Sequence, residues 1–210
     1  MFFTRRLAVT AALTPGNNRW VRSSGWFALA GVYVPPMMYY SGLPTWTDDP
    51  PRFPATISWI TRHGWPMGAM CLFWGVMAFQ QVTVLMAVPF TSVKCFGLLF
   101  ALNILLVFGI FPTSDMAWQS LVHDIMAIFL LVNFYILFYW LSTPMAYVNC
   151  YAASFLAYLL LTVDTNYGLG PLGDTWWSQS LRCGMEFLGL TFGSLSLLHG
   201  PVTEKSAHDS

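Results

Sequence analysis

The stretch Gly109–Ser142, GIFPTSDMAWQSLVHDIMAIFLLVNFYILFYWLS, decides how this chain is read. It opens with a sharp turn, Phe111-Pro112-Thr113-Ser114-Asp115, and continues as one long apolar helix carrying His123 and Asp124 near its start. An Asp at the centre of a membrane span costs roughly 2.5–3.5 kcal/mol on insertion scales, so such residues face the bundle interior and take partners there. A run this apolar belongs in a bilayer, and the question becomes what His123 and Asp124 face.

The rest of the chain has the same character. Of 210 residues, 56% are hydrophobic and 9% charged, against about 25% charged in an average soluble domain. The net charge is zero, so nothing points to a nucleic-acid partner. The four cysteines, Cys71, Cys95, Cys150 and Cys183, lie in or beside apolar runs without CxxC or zinc-ligand spacing, and they read as buried, reduced thiols.

Working outward, apolar runs cover Trp26–Leu43, Pro66–Val88, Cys95–Phe111, Met116–Leu141, Met145–Val163 and Thr175–His199. Each reaches the roughly 17 residues that can cross a hydrocarbon core. The expected fold is therefore all-α: a polytopic bundle of six transmembrane helices over residues 25–199, with a basic N-terminal tail (1–24) and a polar C-terminal tail (200–210). Pro35-Pro36 removes backbone donors inside the first run and predicts a kink. Asn103 sits near the middle of the third run. The loop over residues 44–65, rich in Pro and Trp, is long enough to be expected on the mouth of the bundle, with His63 solvated in it.

Orientation follows from Lys and Arg. With the N-terminus inside, Arg5, Arg6, Arg19, Arg22, Lys94 and Lys205 lie on the inner side, and Arg52 and Arg62 on the outer side. Six against two predicts an N-in/C-in arrangement. The first acidic residue is Asp48. The Arg-bearing start is thus either a cytoplasmic tail or a mitochondrial presequence, and the inner side is cytosol or matrix accordingly.

This layout puts several polar groups at one depth. His123 and Asp124 lie about two turns below the outer surface, and Arg182 and Glu186 enter the last run from the same side. Ser120 shares the side of His123 and Asp124. Gln179, Arg182 and Glu186 form one stripe, continued by Gly189 and Gly193 as a small-residue face that admits a neighbouring helix. Arg182 and Glu186 can touch at i,i+4, but a cation near a helix N-terminus opposes the macrodipole. An interhelical pairing explains them better, with Arg182 reaching Asp124 and Glu186 accepting from His123. Three roles stay open for the group His123, Asp124, Arg182, Glu186, Ser120 and Gln179: fixing helix register, binding a ligand or lipid headgroup, or proton transfer and catalysis.

Catalytic templates fit badly. A zinc hydrolase needs about three His or carboxylate ligands around an open position, and only His123 lies well inside a run. Ser120, His123 and Asp124 fall within one helical turn, and no GxSxG elbow exists. No catalytic residue, metal ligand or cofactor is assigned. The absence of an internal repeat argues against the common transporter architectures.

Three sets of motifs carry a family resemblance. Pro54-Ala55-Thr56-Ile57-Ser58, with Pro66 and Cys71-Leu72-Phe73 after it, is similar to a loop-then-span pattern. Gly109-Ile110-Phe111-Pro112, Asp115 and Leu121-Val122-His123-Asp124 resemble a turn followed by a span opening with His. Glu186 stands in the last run. Together they resemble the Frag/DRAM/Sfk family of six-span membrane proteins, which includes the Cwh N-terminal-domain type, and a related prokaryotic six-span family. The resemblance implies a non-enzymatic membrane protein tied to lipid organisation or autophagy, with no metal or redox cofactor.

The leading expectation is thus a lipid-modulating membrane protein with an outer-leaflet polar pocket, in endomembranes (lysosome, Golgi or endoplasmic reticulum) or the plasma membrane. Membrane lipids are its expected partners, with other membrane proteins as further candidates. Two alternatives are a structural subunit of a mitochondrial inner-membrane complex and an intramembrane lipid hydrolase using His123.

Overall fold

The computed structural model describes residues 2–43, 53–62, 64–110, 117–141, 144–168 and 170–200. The turn at residues 111–116, loop residues 44–52, His63 and the tail from residue 201 lie outside the described residues. Every regular element among the described residues is helical: α1 (Phe2–Ala12), α2 (Pro15–Tyr40), α3 (Ile57–Ile60), α4 (Gly64–Ala87), α5 (Thr91–Leu105), a π-helical turn (Leu106–Ile110), α6 (Ala117–Leu141), α7 (Met145–Tyr167) and α8 (Trp176–Leu198).

Local chemistry sets several ends. The Thr14 side chain accepts from the Asn17 N–H at the start of α2, and Pro15 follows at the first helical position, where its missing N–H costs nothing. The basic start of the chain, expected as a tail, is therefore helical. Pro35 and Pro36 stay inside one continuous helix. Thr175 and Ser178 form a reciprocal capping box on α8. Gly168 ends α7 at φ +62° and donates to the Asp164 carbonyl, the left-handed cap that glycine adopts without penalty.

The expected count of six spans is corrected. Among the described residues four helical segments are long and apolar enough to cross a membrane: Gly64–Ala87, Thr91–Phe108, Leu121–Leu141 and Met145–Asn166. Helices α2 and α8 have the length but not the apolarity. Asn17, Asn18, Arg19, Arg22, Ser23 and Ser24 open α2, and Ser178, Gln179, Ser180, Arg182 and Glu186 open α8. The Lys/Arg count behind the N-in/C-in arrangement was drawn on six crossings and no longer applies as counted, although four crossings also leave both termini on one side. The all-α, polytopic membrane class stands.

Close approach and polar contacts join these helices. Gln80 and Gln81 on α4 donate to Ser23 and Ser24 on α2 at 3.1 and 3.3 Å, and Gly31 leaves room for the Trp74 indole. A Cβ on Gly25 would stand 2.8 Å from the Leu198 nitrogen, so α2 also lies hard against α8. The small-residue face of α8 acts as expected: a Cβ on Gly189 would meet the Ser154 Cβ at 3.3 Å, and one on Gly193 would run into the Phe138 ring. The core between the helices is aromatic, with Phe134 edge-on to both Trp74 and Phe100. Asn103 on α5 donates to the Met126 carbonyl and accepts from Asn133, both at 3.1 Å, which ties α5 to α6.

Three of the four cysteines correct the expectation of burial. Cys71, Cys95 and Cys150 are exposed and only Cys183 is buried. Within a bilayer an apolar side chain is as well accommodated by lipid as by protein, so apolar surroundings in sequence do not imply a protein interior.

Candidate functional site: a polar cavity at the end of the spans

Helices α6 and α7 run antiparallel, pinned in mid-span where Tyr151 Oη donates to the Leu131 carbonyl at 2.7 Å. Beyond that contact the two helices, with the start of α8, enclose a cavity of about 260 Å³. Its polar wall is His123 and Asp124 from α6, Tyr158, Thr162 and Asn166 from α7, and Arg182 from α8. Thr56, Ser58 and Trp59, in and beside the short helix α3, also line it. The expectation that the first long loop packs on the bundle holds for this part of it.

Depth orders the chemistry. His123 and Asp124 lie just inside the span that begins at Leu121, and Asn166 ends the span that begins at Met145. Ile128, Leu131 and Leu159 line the same cavity one to two turns deeper. The cavity is thus polar at the membrane boundary and apolar toward the hydrocarbon. Ile128 is 42% exposed, so the apolar wall reaches the outer face of the bundle, where lipid lies.

The sequence-expected residues separate into groups. His123, Asp124 and Arg182 share the cavity, and His123 is buried at 2% exposure. The proposed pairings take other partners. Arg182 Nη1 donates to Asn166 Oδ1 at 2.7 Å and to Thr165 Oγ1 at 3.2 Å, both on α7. Glu186 Oε2 accepts from the Ile57 backbone N–H at 2.8 Å. Glu186 lines a small void rather than the cavity; Leu131 and Tyr158 line both. Gln179 donates to Asp174 at 2.6 Å and does not line the cavity. Ser120 is in α6, with its side chain outside the described residues.

The sequence reading missed Tyr158, Thr162 and Asn166. Their i, i+4, i+8 spacing is the signal: one polar stripe down the end of an apolar helix. It also missed the support beneath Arg182. Buried Asp164 accepts from the Leu172 and Gly173 N–H groups at 3.0 and 3.1 Å, folding the glycine-rich connection back onto α7. That fold places the start of α8, and hence Arg182, beside Asn166. On the loop side, Thr56 caps α3 by accepting from the Trp59 N–H, and Arg62 stacks on the Trp59 ring at 4.6 Å from its centre.

Among the described residues no group of three His, Cys, Asp or Glu side chains converges in a way that could hold a metal ion. What the cavity offers is a guanidinium, a carboxylate, an imidazole, a phenol and hydroxyls above an apolar floor.

Fold and composition together define an integral membrane protein: helical, largely apolar and membrane-embedded. Comparison with protein-family models, curated proteins and solved structures finds no match. The Frag/DRAM/Sfk resemblance gains no support there. The six-span and autophagy descriptions attached to it are withdrawn, the first because among the described residues four segments, not six, are apolar enough to cross.

Proposed function

We propose that this protein binds a membrane lipid by its headgroup in the cavity between α6, α7 and α8, and acts on the lipid organisation of its membrane. One observation carries the reading: the cavity grades from charged and hydroxyl-bearing residues at the span ends to Ile128, Leu131 and Leu159 deeper in. A soluble solute has no use for the deep apolar wall, and an acyl chain alone has none for the charges. A lipid presents both in that order. Native mass spectrometry of the purified, delipidated protein with added lipid tests it. Ala127→Trp fills the cavity from α6 and is expected to abolish lipid retention, whereas Leu160→Trp, at an exposed position on α7, leaves it unchanged. Equal retention by both variants would exclude the cavity as the binding site.

A further inference from the structure

We infer that the headgroup taken by this cavity is a phosphodiester carrying a primary ammonium, the chemistry of a phosphoethanolamine lipid; this rests on the lipid-binding reading above. The first observation is how Arg182 is used. Its Nη1 is committed to Thr165 and Asn166, which fixes the plane of the guanidinium. Its Nε is buried and, among the described residues, has no hydrogen-bond partner. Nη2 makes neither of those bonds, and with Nε buried it is the donor left to meet a phosphate oxygen in the cavity. On a side chain that lines the cavity, the hydrogen bonds to Thr165 and Asn166 are to neutral groups, so they hold the guanidinium in place and leave its positive charge for an anionic group of a ligand.

The second observation is the carboxylate of Asp124, which lines the same cavity from α6. An anionic lipid satisfies Arg182 but sets negative charge beside Asp124 in a water-poor site. A quaternary ammonium carries positive charge but no N–H to donate to the carboxylate. A primary ammonium donates up to three hydrogen bonds and joins to the phosphate by a short linker, so one zwitterion meets Arg182 and Asp124 together. The hydroxyls of Thr56 and Ser58 at the loop side of the cavity add neutral donors that favour the phosphate without changing the balance of charge.

The test is a competition in native mass spectrometry among lipids of identical acyl chains bearing phosphoethanolamine, phosphocholine or phosphoglycerol headgroups. The expected result is retention of the phosphoethanolamine lipid by about tenfold over each of the others, a difference of about 1.4 kcal/mol. Asp124→Asn should erase the preference over phosphocholine while phosphoglycerol lipid is still retained, and Arg182→Gln should weaken all three. Retention of all three lipids to equal extents, still blocked by Ala127→Trp, would overturn the headgroup assignment and leave lipid binding standing. Retention insensitive to Ala127→Trp would remove both. Soluble glycerophosphoethanolamine is the control for the source of the headgroup: it should compete far more weakly than the lipid, and equal potency would overturn the assignment to a lipid. If Asp124→Asn fails to fold, the preference of the unmodified protein decides alone.

Discussion

The Glu186 carboxylate on α8 accepts the backbone N–H of Ile57 at 2.8 Å, joining residues 129 positions apart. Ile57 opens α3 and is itself buried. This bond anchors the loop over the mouth of the bundle, next to the cavity lined by Thr56, Ser58 and Trp59. Glu186→Ala leaves the Ile57 N–H unmet and should destabilise the protein by about 1–3 kcal/mol. Glu186→Gln retains an acceptor and should cost less. Thermal unfolding in detergent gives the order, and limited proteolysis should cut within residues 53–62 sooner in the Ala variant. Equal stability of Glu186→Ala and the unmodified protein would show that the anchor contributes nothing.

Arg182 and Asn166 should be coupled more strongly than Arg182 and Asp124. The guanidinium donates to Asn166 at 2.7 Å, whereas Asp124 is its neighbour across a cavity. A double-mutant cycle of Arg182→Ala with Asn166→Ala should return an interaction energy of about 0.5–3 kcal/mol. The same cycle with Asp124→Asn, in the absence of lipid, should return less. The reverse order would mean that Arg182 crosses the cavity and fills it with an ion pair.

The glycine-rich connection before α8 should tolerate no side chain at residue 170. A Cβ there would stand 2.5 to 2.9 Å from the Asp164 carboxyl group, which is holding the Leu172 and Gly173 N–H groups. Gly170→Ala should cost about 1–3 kcal/mol by overpacking. In Gly170→Ala/Asp164→Ala the second substitution should add little, because both break the same fold of the loop. Full additivity in thermal unfolding would separate the two sites.

Asn103 should contribute modestly. It bridges α5 to α6 through Met126 and Asn133. Interhelical hydrogen bonds in membranes average about 0.6 kcal/mol because the unfolded helices find other partners in the bilayer. Asn103→Leu, with Asn133 left in place, should therefore lower unfolding free energy by about 1 kcal/mol in denaturant titrations. A loss several times larger would make this bridge a principal tie between the two spans.

Gly193 and Phe138 should show compensation. A Cβ on Gly193 would enter the Phe138 ring, so Gly193→Ala alone forces α8 away from α6 at a cost of about 1–3 kcal/mol. Phe138→Leu in the same chain opens space and should recover part of that loss in thermal unfolding. A double variant no better than Gly193→Ala would place the strain elsewhere.

By itself, the sequence determined the class of this protein and the place of its polar residues along their helices. Hydropathy and helical rise are properties of a single strand of chain. They suffice to show that 56% hydrophobic residues in long runs belong in a bilayer, and that His123, Asp124 and Arg182 lie near the starts of their helices; that they share one cavity is a tertiary fact. The small-residue face of Gly189 and Gly193 was legible for the same reason, since it depends only on helical spacing.

Only the tertiary structure decided which partner each group takes. Any helix at the right depth can supply an acceptor to Arg182, and it was α7, through Thr165 and Asn166, that did so. Glu186 is met by a backbone N–H, a donor every residue but proline carries and no side-chain pattern reveals. Tyr158 and Thr162 joined the site because antiparallel packing of α6 and α7 put the end of one opposite the start of the other. Cys71, Cys95 and Cys150 turned outward because hydrocarbon and protein interior are nearly equivalent surroundings for an apolar side chain. In a bilayer the contrast that sorts inside from outside in water is gone. What orients the helices is close packing and the few polar groups that need one another, and both depend on contacts between segments far apart in the chain.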